Sequence, residues 1–168
     1  MNKLQIFYDY SCPFCKKGYE SFLRVITPFI KDIDIEWIPV ESHPRPENVH
    51  PHTDLCIQAF YIICELNGDI PAFHHAMYDA LVIEKRDVEK SDVLADIVKN
   101  IVDPVKFIEI LESNKYADKV NQNNDFAYEK SGVWVVPAFR MNNQKLDAIG
   151  GIGVTDLQIS DFLKLSIN

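Results

Sequence analysis

Leu4-Gln5-Ile6-Phe7-Tyr8-Asp9-Tyr10-Ser11-Cys12-Pro13-Phe14-Cys15 runs from a short apolar stretch into a Cys-Pro-Phe-Cys tetrad. Residues 4–8 are apolar and aromatic, and read as a buried strand. Pro13 suits the first turn of a helix, where its missing N–H costs nothing. Tyr19, Phe22, Leu23, Ile26 and Phe29 then recur at helical spacing, and Pro28 signals the end. Ile33, Ile35 and Trp37 alternate with Asp34 and Glu36, so residues 33–40 read as a second strand. Strand, helix and strand in that order open an α/β domain.

Beyond a proline-rich loop at 42–51, the patterning from Thr53 to Lys130 is almost wholly helical. It predicts helices over 53–67, 70–83, 91–101, 103–112 and 114–130. At Gly132 the pattern switches. Val133-Trp134-Val135-Val136 is β-rich, Pro137 interrupts it, and Ala138-Phe139-Arg140-Met141 resumes it. Asn142-Asn143 is a turn signal before a last strand near 145–149, and an amphipathic helix follows from Thr155. The division predicted is residues 1–50 and 131–168 around one sheet, with residues 51–130 inserted as a helical domain.

The chain has 168 residues, enough to bury a core without covalent staples. Its net charge of −8 repels polyanions, and its basic residues are interspersed with acids. Nucleic acid is therefore not an expected partner. No apolar run approaches the ~18 residues of a membrane span, so no membrane partner is expected. The first residues lack the apolar region of a secretory signal, which makes the cytoplasm the expected location. Four cysteines are too few for a disulfide scaffold. In a reducing compartment such a pair is more often catalytic or metal-binding.

Cys12 and Cys15 sit at the strand-to-helix junction. Residues three apart on a helix bring their Cβ atoms to ~5–6 Å, and a disulfide needs about 3.5–4.5 Å. A small adjustment joins them. The first helical turn has free N–H groups and a partial positive charge, which favour a thiolate at Cys12. Thiolates attack disulfides, so Cys12 reads as the exposed attacker and Cys15 as the shielded resolving thiol. Cys-x-x-Cys is also zinc spacing, but no second knuckle matches it, and the expected metal and cofactor content is none. Val136-Pro137 is the second notable element. A proline within an apolar run is either an edge-strand residue or a cis bond.

These residues carry a resemblance. The order strand, Cys-Pro-x-Cys helix, strand, helical insertion, Val-Pro strand, strand and helix resembles the DsbA-like branch of the thioredoxin superfamily. Residues 8–15 and the segment Gly132–Phe139 are similar to motifs of its FrnE-like subfamily, near the 2-hydroxychromene-2-carboxylate isomerases. The resemblance implies a thioredoxin fold with an all-helical insertion and catalysis by Cys12 and Cys15. It further implies a cis Pro137 facing Cys12, and a substrate strand paired with the Val136 backbone. Pro13 and Phe14 would border that groove. Three departures stand out. Ile6 occupies the place of the family's buried acid, which leaves Asp9 as a candidate proton carrier. Val135 replaces a glycine, and the chain is short for the subfamily.

The expected function is exchange of a Cys12–Cys15 disulfide or dithiol with protein or small-molecule thiols, glutathione included. A glutathione-dependent transferase or isomerase of the kappa type shares the fold but usually has Ser at position 12. A non-catalytic binding module would need no cysteine pair. Cys56 and Cys64 are too far apart along one helix to bridge, and read as core thiols. His43, His50 and His52 flank the proline-rich loop, with Cys56 just after, in a spacing that matches no standard zinc pattern. His74 and His75 read as surface or capping residues. Tyr10, Phe14 and Trp134 read either as a collar around Cys12 or as core, with Phe14 exposed.

Overall fold

The computed structural model describes residues 1–167. Strands β1 (Asn2–Tyr8), β2 (Ile33–Pro39), β3 (Ala138–Met141) and β4 (Gln144–Asp147) form one sheet of order β2-β1-β3-β4. Helix α1 (Pro13–Val25) is the crossover between the parallel pair β1 and β2. Strands β3 and β4 run antiparallel to their neighbours. Helices α2 (Asp54–Glu65), α3 (Ile70–Tyr78), α4 (Ser91–Val98), α5 (Pro104–Glu112) and α6 (Ala117–Asp125) intervene between β2 and β3. α3 and α6 each end in a π-helical turn, at Asp79–Ile83 and Phe126–Lys130. α7 (Asp156–Ile167) closes the chain against α1 and β4. The α/β class expected from the sequence holds.

Alternation along β1 sends its side chains to two faces. Ile6 and Tyr8 share a tight internal space with Cys15, Tyr19 and Phe22 of α1. Phe7 points the other way and meets Phe126 at 5.9 Å between ring centroids. Phe139, paired with Ile6 across β1 and β3, packs between Phe22 and Phe162. Burying such a side chain stabilises the fold by ~1.5–3 kcal/mol. Asn142 and Asn143 both adopt positive φ, 48° and 65°, which is the geometry of a tight two-residue hairpin. Asp69 and Asp103 cap α3 and α5 by accepting from Ala72 and Val105 N–H.

The structure corrects three expectations. Residues 133–136 are not strand; β3 begins at Ala138. Their β-forming residue types find no neighbouring strand to pair with. Instead Val133 N–H donates to the Ala127 carbonyl, and the buried Arg140 guanidinium holds the Ser131 and Gly132 carbonyls. Cys64 is exposed, whereas Cys56 is buried. The helix carries Cys56 to the core and turns Cys64 to solvent. His74 is neither surface nor cap: it is 1% exposed, while His75 is exposed. It lies one turn from Ile70 and Tyr78, on the face that α3 buries.

That face feeds an aromatic cluster. His74 packs within 6 Å, centroid to centroid, of Tyr8, Tyr10, Tyr19, Trp37 and Phe60. Its Nδ1 lies 2.9 Å from Tyr10 Oη, and Tyr10 Oη lies 3.1 Å from Tyr8 Oη. Its Nε2 is buried with no partner among the described residues. Burial pushes the imidazole down to about 3, so the ring is neutral.

Candidate active site

Cys12 is the N-cap of α1, with extended backbone (φ −88°, ψ 118°), and Pro13 takes the first helical position. The cap puts the Cys12 sulfur over the free N–H groups of the first turn. Phe14 and Cys15 N–H both donate to it, and the Cys15 thiol is its strongest donor. These bonds bring the Cys12 thiol down from 9 to about 7, against the opposing effects of partial burial and of the Asp9 carboxylate. Cys15 is 1% exposed. Burial first, then its bond to Cys12, pushes its thiol well up. One cysteine is thus prepared as a thiolate and the other kept as a thiol.

Asp9 is buried, and its carboxylate is fully engaged. Oδ1 accepts from the Ser11 N–H and hydroxyl, each at 2.9 Å, and Oδ2 accepts from Ser42 N–H at 2.8 Å. The Asp9 backbone N–H, not its carboxylate, meets Cys15 Sγ at 3.4 Å. Asp9 therefore ties the end of β1 to the loop after β2 and fixes where Cys12 begins its helix. A second buried acid, Glu41, is the residue before Ser42, held by Asn124 and raised by burial. Sequence patterning missed it, because it follows β2 rather than belonging to the cysteine motif.

The Val136–Pro137 bond is cis. Pro137 borders the same internal space as Cys15 and rests on Gly18 of α1. Cys12, Phe14, Ser42, Tyr128, Trp134, Val135 and Val136 line a cavity of about 260 Å³. Among the described residues, the Val136 amide and carbonyl have no main-chain partner. Phe14 is half-buried rather than exposed, because its ring lies against Gly153, which holds φ +88°. A Cβ at Gly153 would stand 3.3 Å from Phe14 Cδ1. Of the residues read as collar or core, Tyr10 belongs to the core, whereas Trp134 is 90% exposed at the cavity rim. A second cavity of about 410 Å³ also borders Cys12 and is lined by Pro13, His43, His50 and Lys85.

Gly18 is where helix and cis-proline loop touch. A Cβ there would lie 2.8 Å from Pro137 Cγ and 3.2 Å from Val154 Cγ2. Gly18→Ala is expected to destabilise the protein by about 1–3 kcal/mol through overpacking. A lower urea midpoint with an unchanged slope is the measurement.

A family model for the DSBA-like thioredoxin domain matches residues 3–160. The chain belongs to this family. Among curated proteins, YwbO of Bacillus subtilis (strain 168) is 25% identical over 194 residues, covering 94% of this chain and 96% of YwbO. A Streptomyces coelicolor structure described as a probable DsbA oxidoreductase superposes with a TM-score of 0.82. It is 14% identical and covers 99% of this chain and 90% of its own. The DsbA of Chlamydia trachomatis gives 0.72 at 15% identity, over 98% and 84%. At such identities these structures establish the fold, which is the DsbA-like thioredoxin fold. As a DsbA-family member, the chain has the architecture of the thiol–disulfide oxidoreductases.

Proposed function

We propose that this protein is a cytoplasmic thiol–disulfide oxidoreductase that exchanges a Cys12–Cys15 disulfide or dithiol with protein thiols. The observation that carries this reading is the unequal pair: Cys12 lowered to about 7 on the helix cap, Cys15 buried and raised. In the reducing direction, the Cys12 thiolate attacks a substrate disulfide and one substrate thiolate leaves. Cys15 then gives up its proton and attacks the Cys12 sulfur, which releases the second substrate thiolate and leaves the Cys12–Cys15 disulfide. The oxidising direction reverses both steps. Val136, with its backbone free beside Cys12, is suited to pair with an extended substrate strand. Pro13, Phe14 and Pro137 complete the groove. The local motifs favour the FrnE-like subgroup, and glutathione is the simplest small thiol to test as a partner.

The reduction potential tests this reading. Oxidising power in DsbA-type enzymes comes from stabilising the reduced form. Phe14, between the cysteines, supplies neither charge nor a side-chain donor, so backbone and Cys15 donors alone favour the Cys12 thiolate. A thiol near 7 resembles thioredoxin's (about 7) more than DsbA's (about 3.5). The potential is expected below DsbA's roughly −120 mV, toward thioredoxin's roughly −270 mV. Equilibration in glutathione buffers followed by thiol labelling measures it. No dithiol–disulfide equilibrium at Cys12 and Cys15 would remove the proposal, and a value at or above roughly −120 mV would remove the Phe14 argument.

A further inference from the structure

Away from the cysteine pair, the proline-rich loop after β2 meets the loop before α4 through three side chains. His50 Nδ1 lies 2.7 Å from Glu89 Oε2, and His52 Nδ1 lies 3.0 Å from Glu89 Oε1. The candidate ligand atoms of all three residues fall within 4.8 Å of one another. His52 is 7% exposed. The opposite nitrogens are also held: His52 Nε2 by the Glu47 carbonyl at 2.8 Å, His50 Nε2 by Asn48 Oδ1 at 2.9 Å.

Proton accounting makes this cluster unusual. A carbonyl can only accept, so His52 must donate to Glu47 from Nε2. In a neutral imidazole, Nδ1 then carries a lone pair, yet it faces a carboxylate oxygen that also offers one. A proton or a metal cation fits between them. The two rings meet edge to face at 4.5 Å between centroids, so both present a nitrogen to the same carboxylate. One divalent cation satisfies both rings in the neutral state.

We propose that His50, His52 and Glu89 bind a borderline divalent cation of the zinc class, which clasps the two loops together. Two imidazoles and a carboxylate are a zinc ligand set, with the fourth position left to water. The outer hydrogen bonds to Glu47 and Asn48 are those that orient metal-binding histidines. Around zinc, ligand atoms at ~2.0–2.2 Å from the metal stand about 3.3 Å apart, and the candidate ligand atoms here lie within 4.8 Å of one another. Arg45 is the competing cation, 3.2 Å from Glu89 Oε1. It has somewhere to go. Asp54 Oδ2 already lies 3.8 Å from its guanidinium, and Asp54 Oδ1 is buried with no hydrogen-bond partner among the described residues. The site also adjoins catalysis, because His50 lines the cavity of about 410 Å³ that Cys12 borders.

Zinc titration against a chromophoric chelator tests this, using protein oxidised at Cys12–Cys15 and alkylated at Cys64 so that thiols do not contribute. One zinc per chain is expected. His50→Ala, at an exposed position, and Glu89→Gln, which preserves shape, are each expected to weaken binding at least about tenfold. Cobalt(II) is expected to give tetrahedral visible bands without a thiolate charge-transfer band. The proposal is overturned by a lack of stoichiometric zinc, which would leave a hydrogen-bonded ion cluster. It is equally overturned by unchanged affinity in both variants, or by binding that requires reduced Cys12 and Cys15.

Discussion

Cys12→Ser is expected to reduce disulfide exchange to the uncatalysed background, whereas Cys15→Ser is expected to accumulate mixed disulfides through Cys12. The asymmetry follows from position. Cys12 is half-exposed at the helix cap beside the groove, and Cys15 is buried one turn further in. Serine at 12 has no thiolate to offer, so neither half of the exchange begins. Serine at 15 leaves the first attack intact and removes the second. The pH dependence sharpens the test. Alkylation of Cys12 in the reduced protein is expected to be half-maximal near pH 7, because its thiol lies at about 7. The Cys15 thiol is the largest cause of that lowering. Cys15→Ala removes this donor and is expected to move the Cys12 transition upward, while Cys15→Ser keeps a hydroxyl donor and moves it less. Faster alkylation at Cys15 than at Cys12 would reverse the assignment of roles.

The second large effect concerns stability in mild acid. His74 is held at about 3 in the folded protein by burial alone, against 6.5 when free. Between those values the unfolded chain binds a proton that the folded chain refuses. Stability therefore falls as pH drops below about 6.5, and this contribution stops changing below about 3. From pH 7 to pH 4.5 the loss from this group alone is about 2.5 kcal/mol. His74→Phe keeps a ring in the cluster and eliminates both the unpaired Nε2 and the titration. Urea unfolding at the two pH values is expected to show that the variant is spared about 2.5 kcal/mol of the wild-type decline. Equal declines in both proteins would mean that His74 accepts its proton without unfolding.

Local chemistry made the strand–helix–strand opening, the helical run and the closing hairpin legible in the sequence. Proline at a first helical turn and paired asparagines at a turn each act within a few residues. The unequal settings of Cys12 and Cys15 were legible for the same reason, since spacing and helix polarity act within one turn. Two of the wrong readings depended on distant partners. Val133–Val136 have β-forming side chains, but whether they pair is decided by Arg140 and Ala127. His74 looked like a polar residue on a helix, and only packing against Tyr8, Tyr10 and Trp37 made it core. That His50 and His52 meet Glu89 could not be read from spacing, because Glu89 arrives from a loop that the chain reaches only after two further helices. Asp9 was legible as a nearby acid, but its two serine partners decide that it anchors the cysteine loop. By itself the sequence determined the order of elements and the placing of Cys12 and Cys15 one helical turn apart, since those follow from contacts within a helical turn. Which strands pair, which polar groups lose their water and which loops meet were decided only by the tertiary structure, because those energies depend on neighbours that residue spacing does not encode.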